Sequence, residues 1–106
     1  MTINEITNKI ISWASQYDFI NKIWLFGSTA KNKNLTNDID LAFEITPEPG
    51  DDDDIVTWYH CEGAFKNELN KLFTSKVDVV LYNEQFNSKI KNSVDNYGIL
   101  IYENLE

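Results

Sequence analysis

Residues 38–45 read Asp38-Ile39-Asp40-Leu41-Ala42-Phe43-Glu44-Ile45. Successive side chains of a strand point to opposite faces, so Ile39, Leu41, Phe43 and Ile45 share one face and Asp38, Asp40, Ala42 and Glu44 the other. This pattern predicts a half-buried strand. Before it, Lys22-Ile23-Trp24-Leu25-Phe26 is a short run of strand formers closed by Gly27. After it, Val77–Tyr82 and Ile99–Tyr102 predict two further strands. Three stretches repeat at helical spacing. Ile3, Ile6, Ile10, Trp13 and Tyr17 mark a helix over 2–17, with Thr2 as N-cap and Glu5 three residues on. Trp58, Cys61, Phe65, Leu69 and Leu72 mark a second, capped by an Asp before Ile55. Phe86, Ile90, Val94 and Tyr97 mark a third, with Gly98 at the C′ position. Thr46 to Asp54 reads as a loop from its Pro and Gly content. The predicted order is α-β-β-α-β-α-β. The fold class is α/β (α+β): a mixed central sheet of about four strands packed with three helices on one main face, in a single domain over 1–106.

The composition bounds the function. The chain has 106 residues, with nine basic and 17 acidic side chains and a formal net charge of −8. Proteins that hold long nucleic acids present basic surfaces, because phosphate neutralisation drives that binding. This balance excludes a duplex-binding module or a processive polymerase, and no long nucleic acid is expected as partner. A small anion can still bind where a metal supplies local positive charge. No apolar run approaches the length of a membrane span, so no membrane partner is expected. Met1-Thr2-Ile3-Asn4-Glu5 lacks the basic start and apolar stretch of a signal peptide, and Cys61 is the only cysteine. The expected location is the cytoplasm.

Three features offer chemistry. Gly27-Ser28 follows a strand directly; Gly27 lets backbone approach a ligand closely, and Ser28 offers a hydroxyl and an N–H to a phosphate. The same dipeptide also serves as a plain turn. Asp38 and Asp40, at i and i+2, place two carboxylates side by side, where their repulsion raises each other's proton affinity. Such oxygen ligands suit Mg²⁺, although a solvated strand face needs no metal. Asp78 stands alone in the apolar run Val77-Asp78-Val79-Val80-Leu81, where Asp is disfavoured. If that strand lies beside the Asp38–Asp40 strand, it completes a cluster; otherwise a salt bridge or a cap accounts for it.

Taken together, Trp24-Leu25-Phe26-Gly27-Ser28-Thr29-Ala30-Lys31, then Asn37-Asp38-Ile39-Asp40-Leu41-Ala42, then Val77-Asp78-Val79-Val80, resemble the signature of the DNA polymerase beta nucleotidyltransferase superfamily. The length and the ending Gly98-Ile99-Leu100-Ile101-Tyr102-Glu103 resemble its minimal members, the antitoxins of HEPN/minimal nucleotidyltransferase pairs. The family often reads Gly-Ser-Arg-Ala-Arg-Gly; here Thr29 stands at the first Arg, Lys31 at the second and Asn32 at the last Gly. The resemblance implies a small nucleotidyltransferase fold and transfer of AMP from ATP to a hydroxyl of a partner protein. That partner would be a small helical HEPN-type toxin in a hetero-oligomer. It implies Asp38, Asp40 and Asp78 as catalytic and metal-binding residues holding two Mg²⁺ ions, and Gly27, Ser28 and Lys31 as nucleotide-binding residues. Drug-modifying and polymerising relatives carry an added helical domain for which this chain has no room, so the acceptor surface is expected from another protein. The alternative is a non-catalytic module that senses nucleotide or neutralises its partner by occlusion.

The remaining features read plainly. Asp51 to Asp54 caps the following helix, and His60 and Cys61 are a helix-surface His and a core Cys. Trp13, Trp24 and Trp58 are core or half-buried, and Lys31 and Lys33 are loop cations.

Overall fold

The computed structural model describes residues 2–27, 30 and 38–105. Helix α1 spans Ile3–Ala14, and strands β1 and β2 span Ile20–Phe26 and Ile39–Ile45. Helix α2 spans Asp54–Leu72, strand β3 Val77–Leu81, helix α3 Ser88–Tyr97 and strand β4 Ile99–Glu103. The order is the one the periodicity predicts. Among the described residues these elements form a mixed α/β architecture of three helices and a four-stranded sheet.

The helix starts follow local chemistry. Thr2 Oγ1 accepts from the Glu5 N–H at 3.1 Å and Glu5 Oε1 accepts from the Thr2 N–H at 3.1 Å, a reciprocal capping box. Asp53 caps α2 by accepting from the Val56 N–H. Phe86 lies outside α3, because Asn83 Oδ1 accepts from the N–H groups of Gln85 and Phe86 and holds them in a turn, while Asn87 becomes the cap. Tyr17 likewise falls beyond α1, which ends at Ala14. Gly98 is not left-handed: at φ −66° and ψ 143° it is extended. Its small size matters instead, since a Cβ there would come within 2.5 Å of the Val94 carbonyl oxygen.

The sheet order is β3-β2-β1-β4. β1 pairs antiparallel with both β2 and β4, whereas β2 and β3 run parallel. One face carries Ile39, Leu41, Phe43, Val77, Val79 and Leu81, packed with Ile6, Ile10 and Trp13 of α1 and Trp58, Phe65 and Leu69 of α2. An aromatic hub sits at its centre. The Phe65 ring lies 5.0 Å from Trp13, 4.9 Å from Tyr17 and 5.6 Å from Phe43. At its rim, Glu68 Oε1 accepts from Trp13 Nε1 at 3.0 Å and from the Tyr17 hydroxyl at 2.6 Å.

The helices do not share one face. α3 covers the opposite side, where Val94 and Ile90 pack on Phe26, Ala42, Trp24 and Val80. The even positions of β2 are therefore only partly solvated: Ala42 is fully buried under α3, while Asp40 lies just beyond it along the strand. Leu72 is exposed rather than core, and Cys61 is half-buried, its thiol pushed up to about 11 mainly by burial. Trp13 and Trp58 are buried and Trp24 half-buried, as expected. Among the described residues, no helix is long and apolar enough to cross a membrane.

Candidate active site

The site lies on the α3 face of the sheet, beyond the cover of α3. Parallel pairing of β2 with β3 sets Asp40 directly opposite Asp78 in register. Across the other side of β2, antiparallel pairing sets Asp40 opposite Phe26, the last residue of β1. Gly27 thus emerges beside Asp40. It has φ +76°, a region that side chains with a Cβ avoid, and a Cβ built there would collide with the Asp40 carboxylate. Asp38 immediately precedes β2, two residues from Asp40, and is half-exposed like the other two carboxylates.

Burial raises the Asp40 carboxyl above its ordinary range, and the charges of Asp78 and Asp38 raise it further, with Lys76 opposing. Three carboxylates are therefore close enough to affect one another. They are not already gathered as a finished metal cage: among the described residues, no group of three His, Cys, Asp or Glu side chains converges as ion ligands. Asp78 instead faces two cations, with Lys66 Nζ 3.6 Å from Oδ1 and Lys76 Nζ 3.8 Å from Oδ2.

The position of Asp78 is fixed from behind. Asn70 of α2 accepts from the Val77 N–H at 2.9 Å and donates to the Val77 carbonyl at 2.9 Å. The Ile39 N–H donates to the Lys76 carbonyl at 2.8 Å, tying the entry of β3 to β2. These contacts set the register that places Asp78 against Asp40. The sequence reading missed Lys66, Lys76 and Asn70. Lys76 carried a signal, since it stands two residues before Asp78 and strand spacing places both on one side.

Of the six predicted site residues, the structure places Gly27, Asp38, Asp40 and Asp78 around the start of β2. Ser28 and Lys31 lie outside the described residues, as does the loop cation Lys33. The acidic run Asp51 to Asp54 stands apart from the site and serves α2, where Asp51 accepts from the Thr57 hydroxyl at 2.6 Å. His60 is exposed on the helix surface, its Nδ1 3.5 Å from Asp51.

The donor set suits a hard divalent cation. All three groups are carboxylates, whose mutual repulsion a cation relieves, and the missing Cβ of Gly27 leaves the room that the Asp40 carboxylate itself occupies. Gly27→Ala is expected to cost about 1–2 kcal/mol from backbone strain alone and to displace the Asp40 carboxylate as well. Denaturant melts check the first effect. A loss of Mn²⁺ binding greater than the fraction unfolded checks the second.

The solved structures that the chain resembles include a crystal structure of a toxin–antitoxin, MntA–HpeT, carrying a Tyr-to-Ala substitution, at 23% identity and a TM-score of 0.67. That match covers 92% of this chain and 72% of the other. A toxin–antitoxin crystal structure with AMP-PNP matches at 20% identity and a TM-score of 0.60, covering 93% and 74%. A third, MntA–HpeT with two Asp-to-Glu substitutions, matches at 18% identity and a TM-score of 0.54, covering the same shares. At these identities the likeness is one of fold. No curated protein sequence matches the chain. The family model for polymerase beta nucleotidyltransferases matches residues 8–106, nearly the whole length, and with the Gly27, Asp40 and Asp78 arrangement it places the chain in the polymerase beta nucleotidyltransferase family.

Proposed function

We propose that the protein transfers AMP from ATP to a hydroxyl of a partner protein, as the antitoxin of a HEPN-type toxin in a hetero-oligomer. The observation that carries this reading is the register pairing of Asp40 with Asp78 beside Gly27. Likeness to toxin–antitoxin structures, one of them with AMP-PNP, supports the class of partner and of nucleotide. One similar complex was solved with two Asp-to-Glu changes spaced two residues apart, the spacing of Asp38 and Asp40.

In this reading Asp38 and Asp40 would hold Mg²⁺ for the triphosphate, and Asp78 would join them to hold Mg²⁺ for the acceptor. Bound there, Mg²⁺ would supply charge stabilisation at the α-phosphate and a lower pKa for the acceptor hydroxyl. Gly27 keeps the backbone close to the phosphates, with Ser28 donating to them and Lys31 adding charge. The acceptor oxygen bonds to the α-phosphorus as the bond to the pyrophosphate oxygen breaks. Asn70, through Val77, keeps Asp78 aimed at that acceptor.

The division of labour is testable. Asp78→Asn is expected to retain Mg·ATP affinity within about threefold, because the triphosphate ion keeps its two ligands, and to lose transfer by about a hundredfold or more. Calorimetric titration with Mg·ATP, run beside incorporation of label from α-labelled ATP into the co-purified partner, separates the two. A fully active Asp78→Asn would remove Asp78 from the mechanism.

A further inference from the structure

The chain contains no arginine; its nine basic residues are all lysines. A protein of net charge −8 that receives the anionic tail of a nucleotide beside three carboxylates needs cations there. Among the described residues several lysines are engaged elsewhere: Lys22 with Glu103, Lys91 with Asp95, and Lys9 with the Leu72 carbonyl. Lys66 and Lys76 are at the site. Lys76 stands immediately before β3, and its carbonyl accepts from the N–H of Ile39, the residue between Asp38 and Asp40. Its Nζ lies 3.8 Å from one Asp78 oxygen, and its charge also acts on Asp40. Lys66 Nζ lies 3.6 Å from the other oxygen, and Lys66 stands one helical turn before Asn70, which is bonded to Val77. Both pairs are longer than the about 2.7–2.9 Å of a charge-assisted hydrogen bond, and both lysine side chains are more than half exposed, at 52% and 62%. Loose, solvated pairs of this kind contribute little to stability, so a stronger anion can draw the lysines away at small cost. Lysine suits that movement, being a compact charge on a flexible stem.

We infer that Lys66 and Lys76 form a phosphate-binding subsite for the nucleotide, turning from Asp78 to the α-phosphate when nucleotide is bound. The inference rests on the proposed nucleotide site and adds to it the cations of its acceptor side. The sheet order indicates which phosphate they meet. Asp78 on β3, Asp40 on β2 and Phe26 at the end of β1, followed by Gly27, lie in a row across the sheet. With the outer phosphates at Gly27 and the acceptor at Asp78, the α-phosphate falls between them, next to the carboxylate that holds both lysines. Two ammonium groups there would neutralise its non-bridging oxygens, where negative charge gathers as the acceptor adds. Carboxylates engaged by a divalent ion no longer hold the lysines, so loading of the site also releases them.

The test is calorimetric titration of the full chain with Mg·ATP. Lys66→Gln and Lys76→Gln are each expected to weaken binding by about threefold, and the double variant by about tenfold, the scale of removing screened unit charges beside an anion. Lys76→Arg, which keeps the charge, should hold the affinity within about twofold of wild type. Lys89→Gln, at the start of α3, makes the same change in net charge away from the site and should leave affinity unchanged. In an Asp78→Asn background the two lysine changes should weaken binding by the same factors, because the contact is with phosphate and does not run through Asp78. Thermal melts confirm that each variant is folded. Unchanged or tighter binding in the folded double variant overturns the inference, as does an effect that disappears in Asp78→Asn or that Lys89→Gln reproduces. Wild type that binds Mg·ATP and loses it on Asp40→Asn, with no response to Lys66 or Lys76, overturns the subsite and leaves the nucleotide site standing. Wild type that does not bind Mg·ATP overturns both.

Discussion

Asp40→Asn is expected to abolish nucleotidyl transfer and, in the same protein, to stabilise the metal-free fold. The loss of transfer should be about a thousandfold or more, the scale of several kcal/mol of transition-state charge stabilisation. The gain in stability follows from linkage. Burial and the charges of Asp78 and Asp38 raise the folded-state carboxyl above its ordinary value. A carboxylate raised in this way opposes folding wherever it is ionised, at neutral pH and above. That penalty is lost as pH falls through the raised folded value towards the ordinary one. Asparagine removes the charge and keeps the shape. Because the site is partly exposed, the gain should be modest, a rise in Tm at pH 7 in EDTA. It should shrink as pH falls through the raised folded value and be gone below the ordinary carboxylate range, where the carboxyl is protonated in both states. Adding Mg²⁺ with ATP should reverse the order, since only the wild type gains from the ligand by mass action. Scanning calorimetry of the two proteins across pH, with and without Mg·ATP, reads all three effects. A destabilised Asp40→Asn at neutral pH would mean that the carboxylate serves the fold rather than the chemistry.

Phe65→Ala should be the most damaging single change to the fold. Its ring touches Trp13, Tyr17 and Phe43 and also lies within about 6 Å of Phe19 and Trp58, joining both helices of the main core to the sheet. Truncation leaves a cavity walled by rigid rings that cannot collapse into it, at a cost of about 3–5 kcal/mol. Against a typical total of about 5–15 kcal/mol, this is a large fraction, and Tm should fall on the order of 15 °C. Phe65→Leu should recover most of the loss by refilling the volume, short of the edge-to-face contacts. Urea unfolding followed by tryptophan fluorescence gives both values, since Trp13 and Trp58 report on this core. A loss below about 1 kcal/mol for the alanine variant would show that the hub is loosely packed.

Much of this architecture is written locally. Thr2 and Glu5 announce α1 because the capping box is satisfied within four residues. The alternation from Asp38 to Ile45 is likewise local, and the even–odd split appears in the burial of β2 except at Ala42, which α3 covers. What stayed hidden depends on distant partners. Helical spacing shows that α3 has an apolar stripe, but not which side of the sheet it covers. Trp24 and Phe26, large apolar residues on the outward face of β1, were the trace of that second layer. The start of α3 depended on Asn83 and Asn87, whose competing side-chain bonds excluded Phe86 from a helix that its spacing would have included.

The site divides in the same way. The Asp38–Asp40 pair follows from the two-residue period of a strand. The meeting of Asp40 with Asp78 requires β2 and β3 to run parallel, a long-range pairing that α2 makes possible by returning the chain to the same end of the sheet. Lys66 arrives from that helix, so no local pattern could link it to Asp78. Gly27 is the intermediate case. Its place after a strand indicated close approach, and the structure supplies what it approaches, the carboxylate of Asp40.

The most direct test is the mass of the partner. The protein should be purified with the proposed HEPN-type partner and incubated with Mg²⁺ and ATP, and the partner's intact mass compared before and after. The account predicts a partner heavier by one or more AMP units, labelled from α-labelled but not γ-labelled ATP, and unmodified with Asp40→Asn. A partner of unchanged mass with wild-type protein, with every nucleotide and with either Mg²⁺ or Mn²⁺, would contradict it and leave a module that neutralises by occlusion alone.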